Sequence, residues 1–72
     1  MNCRYSMLIQ WSDEDQVYVV TLPEFDGNKT HGATYEEAVR NGSEVLELLI
    51  ESFQAEGWPV PAPQLYDSSV TT

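Results

Sequence analysis

Basic residues are the scarcest feature of this chain. Three Lys and Arg stand against twelve Asp and Glu in 72 residues, a formal net charge of −9. Neutralising a phosphate backbone needs clustered Lys and Arg, so the shortage disfavours direct binding to nucleic acid. A single cysteine, Cys3, cannot close an intramolecular disulfide, and no CxxC or Cys/His cluster is present to hold zinc. With only Arg4 beside it, Cys3 reads as a bystander thiol. His31 is the only histidine, and no orienting carboxylate is evident that would make it a general acid or base; it reads as a loop or edge-strand residue. The longest apolar run falls far short of the ~20 residues that span a bilayer, and no basic leader with an apolar core opens the chain. A cytoplasmic protein without cofactor or metal is expected. The sequons Asn28-Lys29-Thr30 and Asn41-Gly42-Ser43 then read as chance matches.

What the chain does have is enough apolar material to fold. Hydrophobic residues make up 42% and aromatics 11%, unlike a disordered acidic tail. Its length allows one small domain with a modest core, and oligomerisation commonly supplements such a core. The negative charge suits a basic partner, because complementary charge speeds encounter.

Residues 4–12 alternate in period two, with Tyr5, Met7, Ile9 and Trp11 on one face, the pattern of a half-buried strand. Asp13-Glu14-Asp15-Gln16 supplies a turn. The β-branched and aromatic run Val17-Tyr18-Val19-Val20-Thr21-Leu22 predicts a second strand, antiparallel to the first and ended by Pro23. Asp26-Gly27-Asn28 is a further turn, and residues 29–33 predict a short third strand that Gly32 weakens or bulges. Thr34-Tyr35-Glu36-Glu37 fits a capping box, in which Thr34 accepts from the Glu37 amide and Glu37 reaches back to the Thr34 amide. Ala38, Gly42, Val45, Leu49 and Phe53 follow in steps of three and four, and Gly57 is placed to close the helix. Gly42 inside that helix implies a close approach to another element. Prolines at 59, 61 and 63 impose an extended segment that adds at most a short fourth edge strand. The expected fold is α+β: a small antiparallel sheet in the order β-β-β-α, with one helix packed on one face. The domain is placed at residues 1–63 and a flexible tail at 64–72.

These pieces form an ordered set. Trp11-Ser12 ends a first strand before an acidic turn; Tyr18-Val19-Val20, Leu22-Pro23-Glu24-Phe25 and Gly27 follow. Thr30-His31-Gly32-Ala33-Thr34, Glu36-Glu37-Ala38 and Gly57-x-Pro59-x-Pro61 complete it. The set, covering roughly residues 5–63, resembles the HicB-like antitoxin family. The resemblance implies a degenerate ribonuclease H-like fold and a partner, the HicA toxin, a small basic ribonuclease that cleaves messenger RNA and whose catalytic histidine the antitoxin masks. Many relatives also carry a C-terminal DNA-binding domain. The pattern seen here stops at the proline-rich segment, so operator binding is not carried over. Gly32-Ala33-Thr34 replaces a frequent Gly-Asp-Thr and removes one charge from the loop.

Nuclease chemistry itself needs carboxylates converging on divalent metals, typically one at the middle of the first strand, where this chain has none. No catalytic residue is therefore assigned. Asp13, Glu14, Asp15, Glu24 and Asp26 are expected on loops at one end of the sheet, where they either contact a basic toxin or serve solubility. The helix glutamates read equally well as a solvated face or as a partner surface. An exposed sheet edge also offers strand pairing, so a homodimer or larger assembly is expected.

Overall fold

A computed structural model describes residues 4–66 of the chain. The elements run β1 (Leu8–Ser12), β2 (Val17–Leu22), a 3₁₀ turn η1 (Pro23–Phe25), β3 (Asn28–Gly32) and α1 (Tyr35–Glu56). The strands form one antiparallel sheet in the order β1-β2-β3, as the sequence predicts. Register pairs Trp11 with Tyr18 and Ile9 with Val20; on the other side Tyr18 faces Gly32 and Val20 faces Thr30.

The first strand is shorter than its alternation suggests. Its ladder begins at Leu8, opposite Thr21, because Leu22 is the last residue of β2 and Pro23 offers no N–H. Upstream, the Ser6 amide donates to the Glu24 carboxylate instead of to a strand carbonyl. The hairpin loop at 13–16 closes through a Gln16 amide bond to the Ser12 carbonyl, with Gln16 at φ 58°.

One face of the sheet carries the core. Val20, Leu22, Phe25, Ala38 and Leu46 are buried, ringed by Tyr5, Met7, Ile9, Tyr18, Leu49, Phe53 and Val60. The helix stripe read from the sequence thus meets alternate residues of β2. The two close-approach glycines fix how near the helix comes. A Cβ on Gly42 would stand 2.8 Å from the Met7 sulfur and 3.2 Å from Val20. A Cβ on Gly32 would overlap the helix backbone itself, 2.7 Å from the Ala38 Cα. Gly32 forms no bulge; it is the bare spot on which the first helical turn rests.

Both helix ends are satisfied locally. The Thr34 hydroxyl accepts from the Glu37 amide at 3.1 Å. The Glu37 carboxylate returns one residue further back than a capping box requires, accepting from the Ala33 amide at 2.6 Å rather than from Thr34. At the other end Gly57 takes φ 73°, and the Gly57 and Trp58 amides donate to the Gln54 and Phe53 carbonyls. This turn sets Trp58 edge-on against Phe53, with ring centroids 5.4 Å apart.

Residues 58–66 form no fourth strand; they run irregularly across the η1 end of the core. The Tyr5 hydroxyl donates to the Pro61 carbonyl at 2.6 Å, and the Gln64 amide donates to Glu24 at 2.8 Å. The anchoring of this segment therefore extends to Gln64, one residue past the expected domain edge. Cys3 and tail residues 67–72 lie outside the described residues.

Candidate functional site

The five loop carboxylates expected to share one end of the sheet do not. Strand β2 runs from Val17, beside the 13–16 turn, to Leu22, beside η1. Asp13, Glu14 and Asp15 therefore sit at the hairpin end, and Glu24 and Asp26 at the opposite end, about six strand residues or ~20 Å away. The separation follows from the antiparallel order: turns that precede and follow one strand lie at its two ends.

Glu24 also differs from the others in environment. It is 8% exposed, the one charged residue buried among those described. Its carboxylate accepts from the Ser6 amide and hydroxyl and from the Gln64 amide. Burial pushes this carboxyl up, but the amides of Gln64 and Ser6 and the Ser6 hydroxyl outweigh it and hold it below its ordinary value. Glu24 thus staples the segment before β1 to the segment after α1. Its signal in the sequence is weak: an acid between Leu22 and Phe25, whose donors lie 18 and 40 residues away.

The hairpin-end carboxylates are exposed. Asp13 accepts from the Trp11 indole N–H at 3.3 Å, and Asp15 accepts from the Ser12 hydroxyl at 3.3 Å. Trp11 in turn meets Tyr18 edge-on, and Tyr18 meets Tyr35 of the first helical turn, each pair with centroids 5.0 Å apart. This row crosses β1, β2 and α1 because Gly32, next to Tyr18 across the ladder, has no side chain to stand between. It remains open: Trp11 is 48% and Tyr35 57% exposed. The strand positions of Trp11 and Tyr18 suit core or cross-strand partners, and the two do pair across the ladder. The sequence does not show Tyr35 joining them, since that contact forms only after the helix docks.

The far face of the sheet is uncovered by any helix among the described residues. Val17 and Val19 of β2, Lys29 and His31 of β3, and Asp15 line a shallow depression of about 410 Å³ there. The outer side of α1 is acidic, with Glu44, Glu47 and Glu51 around Leu48. Among the described residues no group of three or more His, Cys, Asp or Glu side chains is arranged to hold a metal ion. No helix among them is long and apolar enough to cross a membrane. The exposed features are thus the carboxylates of the hairpin turn, the open aromatic row beside them and the acidic outer side of α1.

Comparison with known proteins agrees on one family. Residues 5–72 match the family model described as HicB_like antitoxin of bacterial toxin-antitoxin system. The chain is 39% identical over 61 residues to the UPF0150 protein ssr1765 of Synechocystis, covering 85% of this chain and 76% of that protein. It is 36% identical over 58 residues to the UPF0150 protein Ta0767 of Thermoplasma acidophilum, covering 81% and 83%. A UPF0150 protein of Thermotoga maritima is 38% identical over 47 residues, covering 65% and 63%. No solved structure gives a significant match.

Proposed function

The chain belongs to the HicB-like antitoxin family, and from that premise we propose that it acts in the cytoplasm as a non-enzymatic binding protein that occludes a small basic ribonuclease toxin of the HicA type. The observation that carries the reading is the family match together with where the acid excess lies. Asp13, Glu14, Asp15 and Asp26 are exposed on turns, and Glu44, Glu47 and Glu51 on the helix. Such charges steer a basic partner and fix its register more than they add affinity. Glu24 serves this surface from within, by holding the flanking segments together. Occlusion needs no chemistry from the antitoxin, only a fitted surface and a stoichiometric complex.

Co-expression with a HicA-type toxin encoded beside this chain tests the reading. The expected result is restored growth and co-purification; absence of both overturns it. Raising salt from roughly 0.05 to 0.5 M is expected to slow association about tenfold or more, because exposed charges are screened.

The uncovered sheet face favours a second reading, an orphan oligomeric domain without a toxin. Its half-buried Val17 and Val19 lie beside Lys29 and His31 with Asp15 at the rim, so in a strongly acidic chain this face carries basic residues that ease the approach of a second copy. Sedimentation of the parent chain and of Val19→Lys tests this face: a dimer that Val19→Lys dissociates supports self-association through it, and a parent monomer removes it, while toxin co-purification separates the two readings.

A further inference from the structure

The two ends of the molecule close their aromatic rows differently. At the η1 end, Tyr5, Phe25, Phe53 and Trp58 meet in succession with centroids 5.2 to 5.4 Å apart. There residues 58–66 cross Tyr5, Phe25 and Phe53, and the Tyr5 hydroxyl and Glu24 bind that segment down, leaving only the terminal Trp58 of the row exposed, at 55%. At the hairpin end both outer rings of the row, Trp11 and Tyr35, stay about half exposed, with Tyr18 half-buried between them. The helix packs over β2 and β3 rather than over β1, so the core-facing side of β1 opens beside the helix flank. Val39, one turn beyond Tyr35, extends the apolar strip and is 44% exposed.

Leaving a tryptophan and a tyrosine half in water forfeits apolar burial that a small domain can use. Exposed Trp and Tyr rings grouped together are the residue types that dominate binding energy at protein interfaces. What they would face is set by charge. Asp13 is held against the Trp11 indole, Glu14 is exposed on the same turn, and Lys29 and His31 lie on the opposite face of the sheet. A second copy would bring another −9 chain onto an already acidic rim. A planar cation suits both features, stacking on the rings while pairing with the carboxylates.

We infer that the open row of Trp11, Tyr18 and Tyr35, rimmed by Asp13 and Glu14, is the docking surface for an arginine-presenting basic protein partner. The inference rests on the proposed binding role and names the surface that performs it. Guanidinium groups enter over Trp11 and Tyr35, and Asp13 orients the nearer one. The glutamates on the far side of α1 contribute long-range attraction only.

Nona-arginine and nona-lysine peptides, titrated into the full chain at low salt and read by calorimetry, test this directly. The expected result is tighter binding of the arginine peptide by several-fold. Trp11→Ala weakens that binding about fivefold to thirtyfold and erases the preference, whereas the Glu44→Gln/Glu47→Gln/Glu51→Gln variant weakens both peptides alike and keeps the arginine preference. Should Trp11→Ala fail to fold, Tyr35→Ala, at an exposed position in the first helical turn, is expected to weaken arginine binding and its preference in the same direction. Equal affinity for the two peptides, or binding unchanged by the aromatic substitutions, overturns the assignment. So does a parent dimer that Tyr35→Ala dissociates, which would give the row to a second copy. The two layers separate cleanly. A toxin that binds Trp11→Ala and Tyr35→Ala as well as the parent removes this surface and leaves the antitoxin role. Aromatic-dependent arginine binding with no toxin rescue does the reverse.

Discussion

Replacing Glu24 by alanine should cost this small domain a large part of its stability. A 72-residue domain has roughly 4–11 kcal/mol in total. The Glu24 carboxylate accepts from two backbone amides and one hydroxyl at 2.8 to 3.2 Å. Each bond to a charged acceptor contributes about 1.5–3 kcal/mol net, and an orphaned buried donor costs a further 1–3 kcal/mol or so. The bonds share one carboxylate and the freed segments can reach water, so the contributions do not add; about 3 kcal/mol is expected, near a hundredfold in the folding constant. With a urea slope near 1 kcal/mol/M the midpoint falls by about 2–3 M. Glu24→Gln is the discriminating control. Most of the donors converge on one oxygen, which accepts from the Ser6 and Gln64 amides and the Ser6 hydroxyl. A glutamine carbonyl placed there keeps that set at reduced strength, and the loss is held to about 1–2 kcal/mol. The pH dependence gives a second reading. The folded-state carboxyl is depressed below 4.5, so the contribution of the charge is fully present above that value and is lost as pH falls through the lower folded one. The gap between parent and Glu24→Gln therefore closes on acidification below about pH 4.5. A Glu24→Ala chain within about 0.5 kcal/mol of the parent, or one no worse than Glu24→Gln, refutes the stapling argument.

Other consequences follow from the helix seat and its cap. Gly32→Ala drives a Cβ into helix backbone that cannot turn aside, and a loss of about 3 kcal/mol is expected by urea unfolding. Gly42→Ala meets the Met7 sulfur, which can rotate away, and gains ~1 kcal/mol of helix propensity, so its net change should be much the smaller of the two. Thr34→Ala leaves the Glu37 amide without its acceptor and should cost about 1 kcal/mol, seen in thermal unfolding as a drop of roughly 4–8 °C.

The sequence made plain whatever depends on neighbours along the chain. The β-branched run of β2, the Thr34 cap and the Gly57 terminator are local signals, and each appears where it was read, while the alternation over 4–12 becomes a strand only from Leu8 to Ser12. The meaning of Gly42 was also legible, since a glycine at a core-facing helix position has few other reasons. The role of Glu24 was not, because an acid in a loop looks solvated until residues far along the chain bring donors to it. The division of the loop acids between the two ends of the sheet was present in the strand order itself, but proximity in sequence masked it. The Trp11–Tyr18–Tyr35 row needed the docked helix, with Gly32 beneath it, to come into being.

The most direct test of the central claim is a titration of a HicA-type toxin's RNA cleavage with this chain. Cleavage is expected to fall linearly and to be abolished near one binding equivalent, with less inhibition at high salt and little at that ratio from Trp11→Ala. Cleavage that continues undiminished under a tenfold excess of folded antitoxin chain would contradict that claim.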